Sequence, residues 1–161
     1  MPARNATRVL LLQSRHAGQD FSRFPQLLEG VNSREDCLAA VFTLIDPERA
    51  DHAASLSLLL DELGWEQIVL AASRADSPLA AAIAAEIPAR ISGLFLIRPE
   101  TPCLPDLDMP VLIVNRPDDP RPSCRSGCEI IEPPTLAPGH LSEILHAFCV
   151  MRTDKTFLPH V

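Results

Sequence analysis

Between Ile68 and Pro88 an apolar run, Ile-Val-Leu-Ala-Ala, meets a tight polar turn and then an alanine-rich stretch. Ser73, Arg74 and Asp76 therefore stand where a buried strand hands over to a helix. A serine at such a turn, with a base and an acid in reach, is an acyl-transfer nucleophile. An arginine in the same place offers a planar fork that binds a carboxylate or phosphate at two points. Both residue types compete for this turn. Other chemistry-bearing side chains follow the remaining apolar runs: Gln13, Ser14, Arg15 and His16; Asp46; Arg98 and Glu100; Asn115, Arg116, Asp118 and Asp119; and His140. If those runs are parallel strands, their carboxyl ends form the ligand-binding edge of the sheet. That edge then gathers Arg15, Arg74, Arg98 and Arg116 beside His16, His140 and several carboxylates. The set suits anion binding or hydrolysis. It is equally what loop ends look like when each arginine pairs with the aspartate beside it.

Six segments supply such strands: Arg8–Gln13, Leu38–Ile45, Gln67–Ala72, Ser92–Arg98, Pro110–Asn115 and Cys128–Glu132. Most are continuous apolar runs without alternation, the pattern of strands covered on both faces. Helices fall between them. Asp46-Pro47 reads as a helix start, with the helix running to about Leu63 before Gly64, and Ser77-Pro78 repeats the device for the alanine-rich helix. Phe24, Leu27 and Leu28 line one face of an earlier helix. Leu141, Ile144, Leu145, Phe148 and Cys149 have amphipathic helical spacing near the end. The Pro-rich stretches after Arg98 and Asn115 read as irregular loops. Strand and helix in alternation predict a three-layer α/β/α sandwich on a mainly parallel sheet, residues 1–152 forming one domain and 153–161 a tail.

With 161 residues the chain is long enough for a substantial core. A net charge of −7 and the absence of a basic stripe argue against nucleic acid as a partner. Lys155 is the only lysine, so the basic side chains are otherwise arginines. No apolar run reaches membrane-spanning length and the N-terminus lacks a signal-peptide pattern, so a cytoplasmic protein without membrane contact is expected. Cys37, Cys103, Cys124, Cys128 and Cys149 are odd in number and irregularly spaced, which does not read as a disulfide framework. Cys124-x-x-x-Cys128 with His140 downstream matches no zinc module. Structural or incidental thiols, and neither metal nor cofactor, are expected.

Four segments carry a resemblance to the α/β-hydrolase superfamily that covers most of the chain. Leu63-Gly64 with the strand to Leu70 resembles the entry to the nucleophile elbow. Ile87-Pro88 through Ile97-Arg98-Pro99 resembles the helix end and following strand. Met109 to Pro120 is similar to the strand and loop carrying the triad acid, and Pro138-Gly139-His140 to the Gly-His that supplies the base. The resemblance implies a sheet in the order 2-1-3-4-5-6, without the usual N-terminal antiparallel strands or lid. It implies a triad of Ser73, Asp119 and His140, with Asp119 and His140 in hydrogen-bond reach or one water apart.

The departures from that pattern are chemical. Both glycines of Gly-x-Ser-x-Gly are missing, and ungapped matching puts Arg74 rather than Ser73 at the nucleophile position, with Asp76 where a small residue belongs. The first loop reads Gln13-Ser14 in place of His-Gly, which normally supplies an oxyanion donor. A cation at the head of a helix also needs a carboxylate, Asp118 or Asp119, or a bound anion. The first expectation is thus a catalytically silent protein that binds a small carboxylate or phosphate ligand through Arg15, Arg74, Arg98 and Arg116, or a protein partner. The alternatives are a compact serine esterase or thioesterase using Ser73, His140 and Asp119, and a binding domain with flavodoxin-like strand order.

Overall fold

The computed structural model describes residues 6–14, 23–44, 51–124 and 128–153. Six strands form one sheet: β1 (Thr7–Ser14), β2 (Cys37–Leu44), β3 (Ile68–Ser73), β4 (Ile91–Ile97), β5 (Val111–Val114) and β6 (Cys128–Ile131). Their order is β2-β1-β3-β4-β5-β6 and every neighbouring pair is parallel. This is the expected order, and each strand lies within a few residues of its expected place.

The apolar runs are continuous because successive residues enter opposite cores. Leu10, Leu12, Leu70, Ala72, Leu94 and Leu96 point to one face, beneath α2 (His52–Leu63) and α3 (Ser77–Glu86). Val9, Leu11, Val69, Ala71, Phe95 and Val114 point to the other, beneath α1 (Arg23–Asn32) and α4 (Pro138–Thr153). The result is the three-layer sandwich. On the second face α1 and α4 approach so closely that a Cβ on Gly30 would lie 2.6 Å from Ser142 Oγ and 2.8 Å from Ser142 Cβ.

Helix boundaries follow the local signals in part. Gly64 closes α2 in the left-handed conformation, φ 71°, as a glycine after a helix does. The Asp46-Pro47 start lies outside the described residues, as does the 154–161 tail. Ser77 does not cap α3: a single 3₁₀ turn, Arg74–Asp76, precedes it, Ser77 is the first α-helical residue, and its buried hydroxyl has no hydrogen-bond partner.

The cysteine expectation needs one correction. Cys124 and Cys128 are joined as a disulfide where the chain enters the edge strand β6. Spacing could not show this, because pairing depends on the path of the proline-rich loop before it. That loop is itself tied down by a parallel bridge between Cys103 and Ser123. Of the cysteines outside this disulfide, Cys37 and Cys149 are buried and Cys103 is exposed.

Candidate functional site

The strand order reverses at β1, which has β2 on one side and β3 on the other. A crevice opens at the carboxyl ends of strands where the order reverses. Ser14 ends β1 on one lip, and the turn after β3 forms the other. Asp76 from that turn closes the gap. It is 3% exposed, accepts the Ser14 backbone N–H at 3.2 Å on Oδ2, and takes the Ser14 hydroxyl on Oδ1. A carboxylate with so little solvent needs donors, and its place just before α3 adds the favourable end of a helix dipole.

Ser73 is half-buried and extended, φ −135° and ψ 153°, as the last residue of its strand. The next residue, Arg74, has φ 51°. Left-handed backbone costs a non-glycine residue about 1–2 kcal/mol, so the strain of the turn sits on Arg74. Its guanidinium reaches Glu100, with Nη2 3.3 Å from Oε1, and its carbonyl accepts the Glu100 N–H at 3.1 Å. The carboxylate that accompanies Arg74 is thus Glu100, not Asp118 or Asp119. Both side chains of the pair are 47% exposed.

The other non-glycine residue with positive φ among those described is Arg98, at 48°. It follows β4 on the same edge. Its guanidinium grips Asp119 at two points, Nε to Oδ2 and Nη2 to Oδ1, both 2.9 Å. Asp119 Oδ2 also accepts the Arg116 N–H at 2.8 Å. The Arg98 hydrogen bonds above all, aided by that N–H and by the charges of Arg98 and Arg74, hold the Asp119 carboxyl down to about 2. Burial opposes them and loses.

His140 does not share this carboxylate. It lies in the first turn of α4, with Nδ1 3.7 Å from Glu143 Oε2, and no hydrogen bond joins it to Asp119 or Ser73. No direct Asp119–His140 hydrogen bond forms; the bonds to the carboxylate come from Arg98 and the Arg116 N–H. Arg116 is exposed and has no ion pair among the described residues; Arg15, with His16 and Asp46, lies outside them.

No family model and no curated protein matches the chain by sequence. Solved structures do match by fold. An α/β hydrolase enzyme from the metagenome of Mar Chica lagoon sediments in Morocco superposes with a TM-score of 0.67 at 12% identity, covering 92% of this chain and 93% of that one. A CIB-like hydrolase from Thermoplasma acidophilum gives 0.62 at 14% identity, covering 96% and 90%. A bacterial membrane phospholipase A, described as a virulence factor, gives 0.64 at 12% identity, covering 95% and 81%.

The fold is that of the α/β hydrolases. In that fold the turn after this central strand is the nucleophile elbow, a strained strand-to-helix corner. Here the strained residue is an arginine, and the corner has relaxed into a 3₁₀ turn that buries Asp76 in place of a small side chain. The contact of Asp76 with Ser14 escaped sequence reasoning. The available signal was a paired change, with Asp76 at a small-residue position and Ser14 at a glycine position. No helix among the described residues is long and apolar enough to cross a membrane.

Proposed function

We propose that this chain is a catalytically silent α/β-hydrolase-fold protein that binds a small anionic ligand, a carboxylate or phosphate, with Arg74 in the nucleophile's place. The observation that carries the reading is the backbone of the turn: the residue with φ 51° is Arg74, and Ser73 before it is ordinary strand. The oxyanion side argues the same way. A tetrahedral intermediate needs unoccupied N–H donors aimed at its negative oxygen. Here the Ser14 N–H is taken by Asp76, whose negative charge would repel that oxygen.

Anion binding needs a cation whose partner can be displaced. Arg74 meets this, since its pair with Glu100 is half-exposed and such pairs contribute only about 0–1 kcal/mol. An incoming carboxylate or phosphate replaces Glu100, and Arg116 on the next loop is the exposed second cation. Arg98, gripped by Asp119, orients the Arg116–Asp119 turn.

The test combines a fluorophosphonate probe with calorimetric titration of inorganic phosphate and acetate. The expected result is no labelling of the wild type, with phosphate or acetate binding weakened about tenfold or more by Arg74→Ala. Rapid labelling that disappears in Ser73→Ala would replace this reading with a serine esterase or thioesterase. Anion binding indifferent to Arg74→Ala would remove the arginine from the site, and no anion binding by the wild type would leave a protein partner as the remaining role.

A further inference from the structure

At the amino end of the sheet, opposite Arg74, side chains of a different character meet. Asp36 and Cys37 lie where the chain enters β2, and His146 and Cys149 lie one turn apart on α4. His146 Nε2 is 2.8 and 3.0 Å from the two carboxylate oxygens of Asp36. Donor atoms of Asp36, Cys37 and His146 all lie within 4.8 Å of one another. Cys37 and Cys149 are both buried.

We propose that Asp36, Cys37 and His146 form a Zn²⁺ site that pins α4 to the edge strand β2, with a solvent molecule completing the tetrahedron. The donor set decides the ion. One oxygen, one nitrogen and sulfur suit Zn²⁺, whereas Mg²⁺ and Ca²⁺ take oxygen ligands. The dimensions agree. Zinc bonds of about 2.0–2.3 Å in a tetrahedron hold the donor atoms about 3.3–3.8 Å apart. An ion would spread the present His146–Asp36 contact by about 0.5 Å, within reach of side-chain rotation.

Access fits as well. Cys37 and Cys149 are buried, while the Asp36 side chain is 56% exposed and gives the ion its route in. When the ion binds, the Cys37 S–H bond breaks, the proton leaves to solvent and the thiolate ligates Zn²⁺. The site lies at the opposite end of the sheet from the carboxyl edge and joins α4 to β2, so its role is structural.

Co²⁺ and Zn²⁺, added to the full chain with Cys103→Ser to remove the exposed thiol, test the assignment. Co²⁺ should give a thiolate-to-cobalt charge-transfer band and the strong visible absorption of a tetrahedral complex, saturating at one equivalent and abolished by Zn²⁺. His146→Ala and Asp36→Ala should each weaken Zn²⁺ binding by at least about tenfold. Zn²⁺ should raise the melting temperature of the parent protein and not that of His146→Ala. The cobalt spectrum of the unsubstituted cluster decides the matter even if a variant fails to fold. Absence of the charge-transfer band, or Zn²⁺ affinity unchanged in a folded His146→Ala, would overturn the site and leave Asp36–His146 as an ion pair alone.

Discussion

Arg98 and Asp119 form a two-point ion pair across the loops that follow β4 and β5, with both nitrogen–oxygen distances at 2.9 Å. The pair is largely sheltered, the Arg98 and Asp119 side chains being 21% and 11% exposed. Its geometry sets the conformation of the Arg116–Asp119 turn, and the carboxylate makes no hydrogen bond with His140.

Stability should follow the protonation of Asp119. Its folded carboxyl sits at about 2 against an ordinary 3.8, so the contribution is fully present above that ordinary value and fades as pH falls through the window between them. After allowance for solvent at the sheet edge, the size is on the order of 1–2 kcal/mol. Urea unfolding should show wild type more stable than Asp119→Asn at about pH 5, with the gap closing towards pH 2. A gap that does not depend on pH would mean that the pair is not the source.

Arg74→Ser should not create an esterase. The new hydroxyl would stand at the strained corner, but Asp76 would still hold the Ser14 N–H and no hydrogen bond would connect His140 to an acid. Turnover of p-nitrophenyl acetate by this variant should match that of the wild type. A rise of a hundredfold or more, about 2.7 kcal/mol of barrier, would show that a working oxyanion site is present.

Removing the buried carboxylate should be costly. Asp76→Ala leaves the N–H and hydroxyl of fully buried Ser14 without their acceptor, a loss of about 1–3 kcal/mol. Asp76→Asn keeps one acceptor oxygen and should lose less. Chemical denaturation of the two variants orders them, and equal loss in both would place the value of Asp76 in its charge.

Gly30→Ala should destabilise the α1–α4 contact although alanine is the better helix former. The added methyl would meet Ser142 Cβ at 2.8 Å, a branch point that cannot rotate away. Overpacking of this kind costs about 1–3 kcal/mol against a propensity gain of up to about 1. Adding Ser142→Gly should relieve the clash, so thermal melts of the four proteins should give a favourable coupling energy.

The chain's apolar runs were enough for the sheet. Six buried segments punctuated by helices and by Gly64 leave little choice of architecture, since each strand must cover two faces and each crossover must be right-handed. The ordered hydrolase-like segments then specify 2-1-3-4-5-6, and that order places Ser14, Arg74, Arg98 and Asp119 on one edge. Even the awkwardness of the elbow is written in the residues, with Arg74 and Asp76 standing where the fold favours a small-x-Ser-x-small turn.

What the residues alone did not decide is who pairs with whom. Arg98 chose Asp119, Arg74 chose Glu100, Asp76 chose Ser14, and Cys124 chose Cys128. Asp36 met His146 across 110 residues of chain. Secondary structure is encoded by periodicities of a few residues, which any stretch of sequence displays. A hydrogen bond or ion pair acts over about 3 Å, so its partners are fixed only when packing brings loops from different strands together. Tertiary structure therefore decided the chemistry of the edge, turning an expected acid–base dyad into an arginine–carboxylate lock.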